Sequence, residues 1–455
     1  MGAAHQQGGA RRTLLGPLSL LGLFALPFTI MQGPGLAIVP NLYAARFGFD
    51  LAQLGVALLV ARLLFDAALN PVIGYLSDRT SSPLGRRKPW ILVGVAVSVI
   101  GVFMLYAPRG TPDFAYLVLW FSVVCAGWTI IDVAYTAWCT EITTSYDGRA
   151  QISFLRQAFT NAGLLLLAFA PLWLSATAEM DFEVLGPTAW FALIVMPLVT
   201  AFVIWRVPQG EGASEALTVG NPFASMASTL SSRPFLILLG YSAFAYTAMG
   251  AAGALFFLFF STYLGLGSHF TLVTVTSMTL AILSIPLWTW LMRHTSKRAL
   301  VLGGTLVLSL SLLSAHLISP GPYALPLYMA MDASWYVSLV AIEAGMRAML
   351  GDIVDYDALR TGEARAGEFA AAWSLVMKAG IATGGALGYG VAAWFGFRAD
   401  DAQVGPEAAL GLKLSLGAVP AAILIPAALI LIAYPLSRRR TLIIGRALHR
   451  RGLRA

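Results

Sequence analysis

An all-α membrane protein, with twelve transmembrane helices in two pseudo-symmetric six-helix bundles, is the fold class the sequence predicts. Three observations predict it. The 455 residues are 58% hydrophobic and 11% charged, whereas a soluble domain carries about 25% charged residues. Apolar stretches of the roughly 20 residues that a spanning helix needs recur about twelve times. Basic residues crowd every second connection between them, which is the asymmetry of loops that face the cytoplasm.

The spans are read at 17–45, 51–76, 89–107, 114–140, 151–175, 188–206, 234–262, 270–292, 299–318, 322–350, 367–395 and 408–436. Strand-like alternation never persists long enough for a barrel. Backbone groups in hydrocarbon must pair within the segment, so helices remain. The first span follows Arg11 and Arg12 and continues past a Gly33-Pro34-Gly35 break, which reads as a retained span and not a cleaved signal.

The basic clusters fix an orientation. They are Arg11 and Arg12; Arg79, Arg86, Arg87 and Lys88; Arg149; Arg206 and Arg233; Arg293, Lys297 and Arg298; Arg360 and Arg365; and the tail from Arg438 to Arg454. The opposite connections hold only Arg46, Arg109, Arg398 and Lys413. Both termini are therefore expected in the cytoplasm, with the chain multi-pass in the plasma (cell inner) membrane. The net charge of +7 then reports topology and contact with anionic lipid, not a nucleic-acid partner.

The longest polar interruption, Val207 to Arg233, divides the chain into a bundle at 1–206, a cytoplasmic linker at 207–233 and a second bundle with its basic tail at 234–455. The halves resemble each other. An offset of 211 residues relates Asp132 to Glu343 and Glu141-Ile142 to Asp352-Ile353, and Tyr146-Asp147 is echoed by Tyr356-Asp357. Parallel duplication of six-span units places a solute site near the midplane, between halves that rock about it.

Ionisable side chains are costly in hydrocarbon, so those inside spans should face a cavity or a partner. On the second span Arg62, Asp66 and Asn70 recur every four residues, one stripe of a helix. Asp66 suits a cation ligand or proton acceptor with Asn70 adding an oxygen; an Arg62–Asp66 pair is the bland alternative. On the fourth span Asp132 has Trp128 one turn before it and Thr136 one turn after, with Thr129 and Tyr135 close by. Aromatic faces beside a carboxylate and hydroxyls suit a sugar; a tie from Asp132 to Arg156 on the fifth span is compatible with that. Lys378, inside the glycine-rich eleventh span, wants a carboxylate, and Asp66 and Asp132 are the candidates. Snorkelling to the cytoplasmic face is the alternative. On the tenth span Asp332 and Tyr336 share a face, as do Glu343 and Arg347, a pair that structure alone would explain. At the cytoplasmic connections Asp78, Arg79, Arg86 and Arg87 can latch one conformation by pairing with a neighbouring connection, with Asp352 and Asp355 in that role in the second half.

Other chemistries find little support. Cys125 and Cys139 lie 14 residues apart on one helix, too distant to bond each other, and read as packing residues. The histidines at 5, 269, 294, 316 and 449 are scattered, so no metal centre or nucleophile–base pair is expected. The phosphate loop of an ATP-driven pump is missing from the sequence. No enzyme and no cofactor is expected.

The run Ala61-Arg62-Leu63-Leu64-Phe65-Asp66-Ala67-Ala68-Leu69-Asn70-Pro71, with Ser77-Asp78-Arg79-Thr80 and Gly85-Arg86-Arg87-Lys88-Pro89-Trp90, resembles the glycoside–pentoside–hexuronide:cation symporters of the major facilitator superfamily. Two further blocks agree: Asp132 to Glu141 with Arg149 and Arg156, and Gly351-Asp352-Ile353-Val354-Asp355-Tyr356-Asp357 with Glu368 and Lys378. The resemblance implies symport of a sugar or glycoside with a co-transported H+ or Na+, by a monomer. It implies Asp66 and Thr129 as cation ligands, and Asp132, Arg156, Ser374 and Lys378 in the sugar or coupling site. The chain departs from the pattern at Asn70, where the family has a second carboxylate, and at Leu69, Leu26-Pro27 and Thr136. One carboxylate and a leucine make a poor sodium cage, which favours proton coupling through Asp66 or Asp132, or uncoupled transport. A lysophospholipid or other small-amphiphile carrier and a non-transporting membrane sensor are the alternative readings.

Overall fold

The computed structural model describes residues 16–142, 146–209, 228–362, 365–401, 403–436 and 438–450. Most of the expected linker, and with it the Gly- and Pro-rich stretch after Gln209, lies outside the described residues, as does the N-terminal pair Arg11 and Arg12. No strand occurs among the described residues.

Twelve long helices follow in the expected order. They are α1 (Ser19–Phe47) and α2 (Leu51–Arg79), α3 (Lys88–Tyr106), α4 (Phe114–Glu141), α5 (Tyr146–Leu174) and α6 (Phe182–Arg206). The second set is α7 (Arg233–Tyr263), α8 (Gly267–His294), α9 (Lys297–Leu317), α10 (Ala324–Thr361), α11 (Ala366–Trp394) and α12 (Pro406–Ile432). A short basic helix, α13 (Arg438–Arg450), follows. Among the described residues eleven helices are long and apolar enough to cross a bilayer. The remaining one, α10, is the longest at 38 residues and carries Asp332, Glu343, Arg347 and Asp352; its polar load, not its length, sets it apart.

Local chemistry sets the ends. Carboxylates cap α2, α4 and α6: Asp50 accepts from the Gln53 amide, Asp113 from Tyr116, and Asp181 from Glu183 and Val184. The Ser296 hydroxyl caps α9. Each supplies an acceptor to an otherwise orphaned amide. At φ 67° and 78°, Gly48 and Gly362 close α1 and α10 in the left-handed region, where a Cβ is unfavourable. The outward faces are apolar, with Leu198, Leu283 and Leu306 more than three-fifths exposed, as lipid requires.

The packing repeats itself. In the first half α3 lies against α4 and α6, and α1 against α5; in the second, α9 lies against α10 and α12, and α7 against α11. Adding six to each helix number maps one set on the other. The halves meet through α2 against α11 and, by the same rule, α8 against α5. The duplication also appears in side chains. Arg86 pairs with Glu141 at 3.0 Å and Lys297 with Asp352 at 2.7 Å, residues that stand 211 apart in both cases.

Glycines let α7 and α11 touch. A Cβ at Gly384 would collide with the Thr247 carbonyl, and one at Gly388 with that of Ala251; Gly250 of α7 would strike the Ile381 carbonyl in return. Small residues allow such backbone contact between membrane helices. Among the described residues three helices widen locally. Wider π turns occupy Arg62–Ala67 of α2, Phe259–Tyr263 of α7 and Leu414–Ala418 of α12. The first leaves the expected stripe on one side of α2, where Asp66 and Asn70 both accept from Lys378.

Candidate solute and coupling site

A cavity of about 600 Å³ lies between the halves. Its polar lining comes from Gln32 of α1, Arg62 and Asp66 of α2, Asp132 of α4, Glu343 of α10 and Lys378 of α11. Lys378 stands twelve residues into α11, about 18 Å along its axis. It does not snorkel. Its ammonium donates to Asp66 Oδ1 at 2.6 Å and to the Asp66 carbonyl at 3.1 Å, with side chains 15% and 26% exposed. The Asn70 amide oxygen accepts from the same ammonium at 3.4 Å, and the Thr129 hydroxyl donates to Asp66 Oδ1 at 3.4 Å. One helix of each half thus supplies one member of a partly buried ion pair. The π turn in α2 presents both Arg62 and Asp66 to the cavity; Arg62 also stacks over the Phe121 ring.

Asp132 pairs with Arg156 of α5 at 3.0 Å, and the same guanidinium donates to Thr136 at 2.9 Å. Trp128 lines the cavity at 3% exposure, wedged over Gly35, and its buried indole N–H has no hydrogen-bond partner among the described residues. Four expected solute residues lie outside the cavity lining: Thr136 and Arg156, joined to each other beside Asp132, and Tyr135 and Ser374. Tyr135 is 1% exposed, packed on Phe24, with its hydroxyl given to the Leu21 carbonyl at 2.7 Å; it braces α4 against α1. Ser374, one turn before Lys378, is half-buried and outside the cavity lining.

The sequence reading missed residues that the fold brings in. The Tyr246 hydroxyl of α7 donates to Glu343 at 2.6 Å, and both line the cavity with Trp335. Glu343 does approach Arg347, at 3.3 Å, but it also faces the chamber. Its position as the repeat partner of Asp132 was the available signal. Gln32, a polar residue beside the Gly33-Pro34-Gly35 break, offered a weaker one.

The cavity is sealed on the side away from the termini. Asn41 of α1 donates to the Ala254 carbonyl of α7 at 3.0 Å and accepts from Tyr389 of α11 at 2.7 Å; Thr271 of α8 donates to the Ala168 carbonyl of α5 at 2.7 Å. On the terminal side the ion pairs close within a half. Arg87 holds both Asp78 and Glu141, Arg86 holds Glu141, Lys297 holds Asp352, and Arg365 holds Asp357. The expected latch is corrected accordingly: Asp78 meets an arginine of its own connection, not of a neighbouring one. Arg79 stacks on Tyr75 at 3.7 Å, and Asp355 stands half-buried on α10.

The family model described as MFS/sugar transport protein matches residues 20–438. The chain belongs to this family. Among its relatives are an uncharacterized symporter of Synechocystis, 23% identical over 86% of this chain and 88% of that one, and the glucuronide carrier protein homolog of Escherichia coli, 23% identical over 89% of each. A putative glycoside/cation symporter of Escherichia coli is 23% identical over 89% of this chain and 88% of its own. Of solved structures, a bacterial homolog of the lysosomal transporter Spinster, inward-facing and unoccupied, aligns at a TM-score of 0.67 and 16% identity over 95% of this chain and 97% of that chain. The nucleoside transporter NupG aligns at 0.67 and 12% identity over 92% and 99%. Those two show the fold: the major facilitator fold of a membrane transporter family.

Proposed function

We propose that this family member is a secondary active symporter that moves a sugar or glycoside by alternating access, coupled to a proton or sodium. The Asp66–Lys378 pair carries the reading. A buried ion pair contributes little net stability and is costly to break from one side, so its place between two halves suits a switch. A proton or sodium ion arriving at Asp66 replaces the ammonium, with Thr129 and Asn70 oxygens alongside. Lys378 is then released toward the chamber, where solute hydroxyls or a carboxylate can receive it. Asp132, held by Arg156, and the unpartnered Trp128 N–H supply an acceptor, a donor and an aromatic face for a sugar ring. Kinship with a glucuronide carrier homolog and a putative glycoside/cation symporter supports the substrate class.

In this reading residues 1–206 and 234–455 are the two rocking bodies, joined by 207–233. Both termini face the cytoplasm of the cell inner membrane, and the chamber described above opens inward. The test is uptake of labelled sugars into proteoliposomes, with proton and sodium gradients imposed separately, in wild type and Asp66→Asn. Gradient-driven accumulation should fall at least about tenfold in the variant while solute exchange persists. Unchanged accumulation removes Asp66 from coupling.

A further inference from the structure

Beside the central chamber lies a second one, of about 330 Å³, between α1, α5, α7, α8 and α10. Its wall is aromatic: Phe256, Phe257, Phe260, Phe270, Trp335 and Tyr336 all line it. One charged side chain joins that lining. Asp332 is only 7% exposed, and no ion pair to it is present among the described residues. Other deep acids are matched, Asp66 by Lys378 and Asp357 by Arg365. The polar groups near Asp332 are the hydroxyls of Ser277 of α8, itself 1% exposed, and of Tyr328 and Tyr336 on its own helix. Such hydroxyls can donate to the carboxylate, but none brings a compensating charge.

An isolated carboxylate among phenylalanines is a poor packing choice, because desolvation strongly disfavours it without a cation. The rings make it worse for an anion and better for a cation. The π face of such a ring is the negative pole of its quadrupole, and aromatic rings gathered around one space favour a bulky, weakly hydrated cation. We infer that this second chamber binds an organic ammonium group, with Asp332 as counter-charge and the rings as its cage. The two chambers share Gly253 and Trp335 in their walls. A solute can therefore lie across both, its hydroxylated part in the first and its ammonium end in the second. That extension deepens the carrier reading and rests on it; ammonium binding as such does not.

The measurement is equilibrium binding of radiolabelled choline to the full chain, purified in maltoside micelles free of choline lipid. The competitors are 3,3-dimethylbutan-1-ol, the uncharged isostere of choline, and a lysophosphatidylcholine. Saturable choline binding, with the isostere at least about tenfold weaker, is the expected result. Asp332→Asn keeps the shape, removes the charge, and should weaken choline by a similar factor, whereas Asp332→Glu should retain most of it. Displacement of bound choline by the lysolipid names a lipid headgroup as a further source of the ammonium group; displacement only at concentrations far above the affinity of choline leaves the free cation as its ligand. Equal binding of choline and the neutral isostere overturns the inference, and does so in the wild type, whatever the variants' folding. Choline binding without sugar uptake sinks the sugar reading alone; sugar uptake without choline binding sinks this inference alone.

Discussion

At the scale of single residues, the membrane makes charge legible. Asp66, Asp132 and Lys378 stood out because each interrupts an apolar run, and a charge there needs a partner. The structure supplies partners that the sequence had narrowed to a short set: Asp66 for Lys378 and Arg156 for Asp132. What the sequence hid was rotation. Tyr135 neighbours Asp132 in sequence yet points into the α1 interface, and only the position of α1 decides that. Tyr246 is one tyrosine among many until α7 is set against α10. The central pair yields a stability prediction. Lys378→Met leaves Asp66 without its cation and should destabilise the protein by about 3 kcal/mol. The double variant Asp66→Asn with Lys378→Met should recover most of that loss, as thermal unfolding in detergent would register. Equal losses in single and double variants would deny the pairing its energetic role. A companion change, Arg156→Ala, frees Asp132 and Thr136 from one shared donor. Solute half-saturation should rise about tenfold in uptake assays with expression unchanged.

At the scale of helices, spans were readable from length and hydropathy, and α10 was readable despite its seven charged residues because its neighbours fixed the count. Helix irregularity was not readable. The π turn at Arg62–Ala67 has no composition signature, since a widened turn is retained by what it faces. Glycines were visible on α11, but their purpose required α7. Gly384→Ala should force α7 and α11 apart and cost about 1–3 kcal/mol, read as a fall in melting temperature. Gly390→Ala, on the same helix with open space around it, is the matched control and should be nearly neutral.

At the scale of the whole molecule, the repeat found in sequence matches a repeat in contacts, down to Arg86–Glu141 and Lys297–Asp352. The conformation was not in the sequence, because a carrier of the proposed kind adopts at least two. The seal away from the termini rests on few bonds, two of them on Asn41. Asn41→Leu deletes both, worth about 1 kcal/mol each, and should shift the population toward opening on that side by roughly thirtyfold. Thr136→Cys, exposed in the last third of α4 and one turn beyond the cavity-lining Asp132, reports the change. Its labelling by a membrane-impermeant maleimide added to the terminal face should slow in the Asn41→Leu background, and native Cys125 and Cys139 are buried. The length of α10 carries one further consequence. From Glu343 to its end at Thr361 the helix reaches about 27 Å, well past the chamber. It is a stiff lever with its fulcrum beside the cargo. A tilt of about 10° at Glu343 sweeps the far tip by about 5 Å, so a change of side-chain size at the centre becomes a change of salt-bridge partner at the rim.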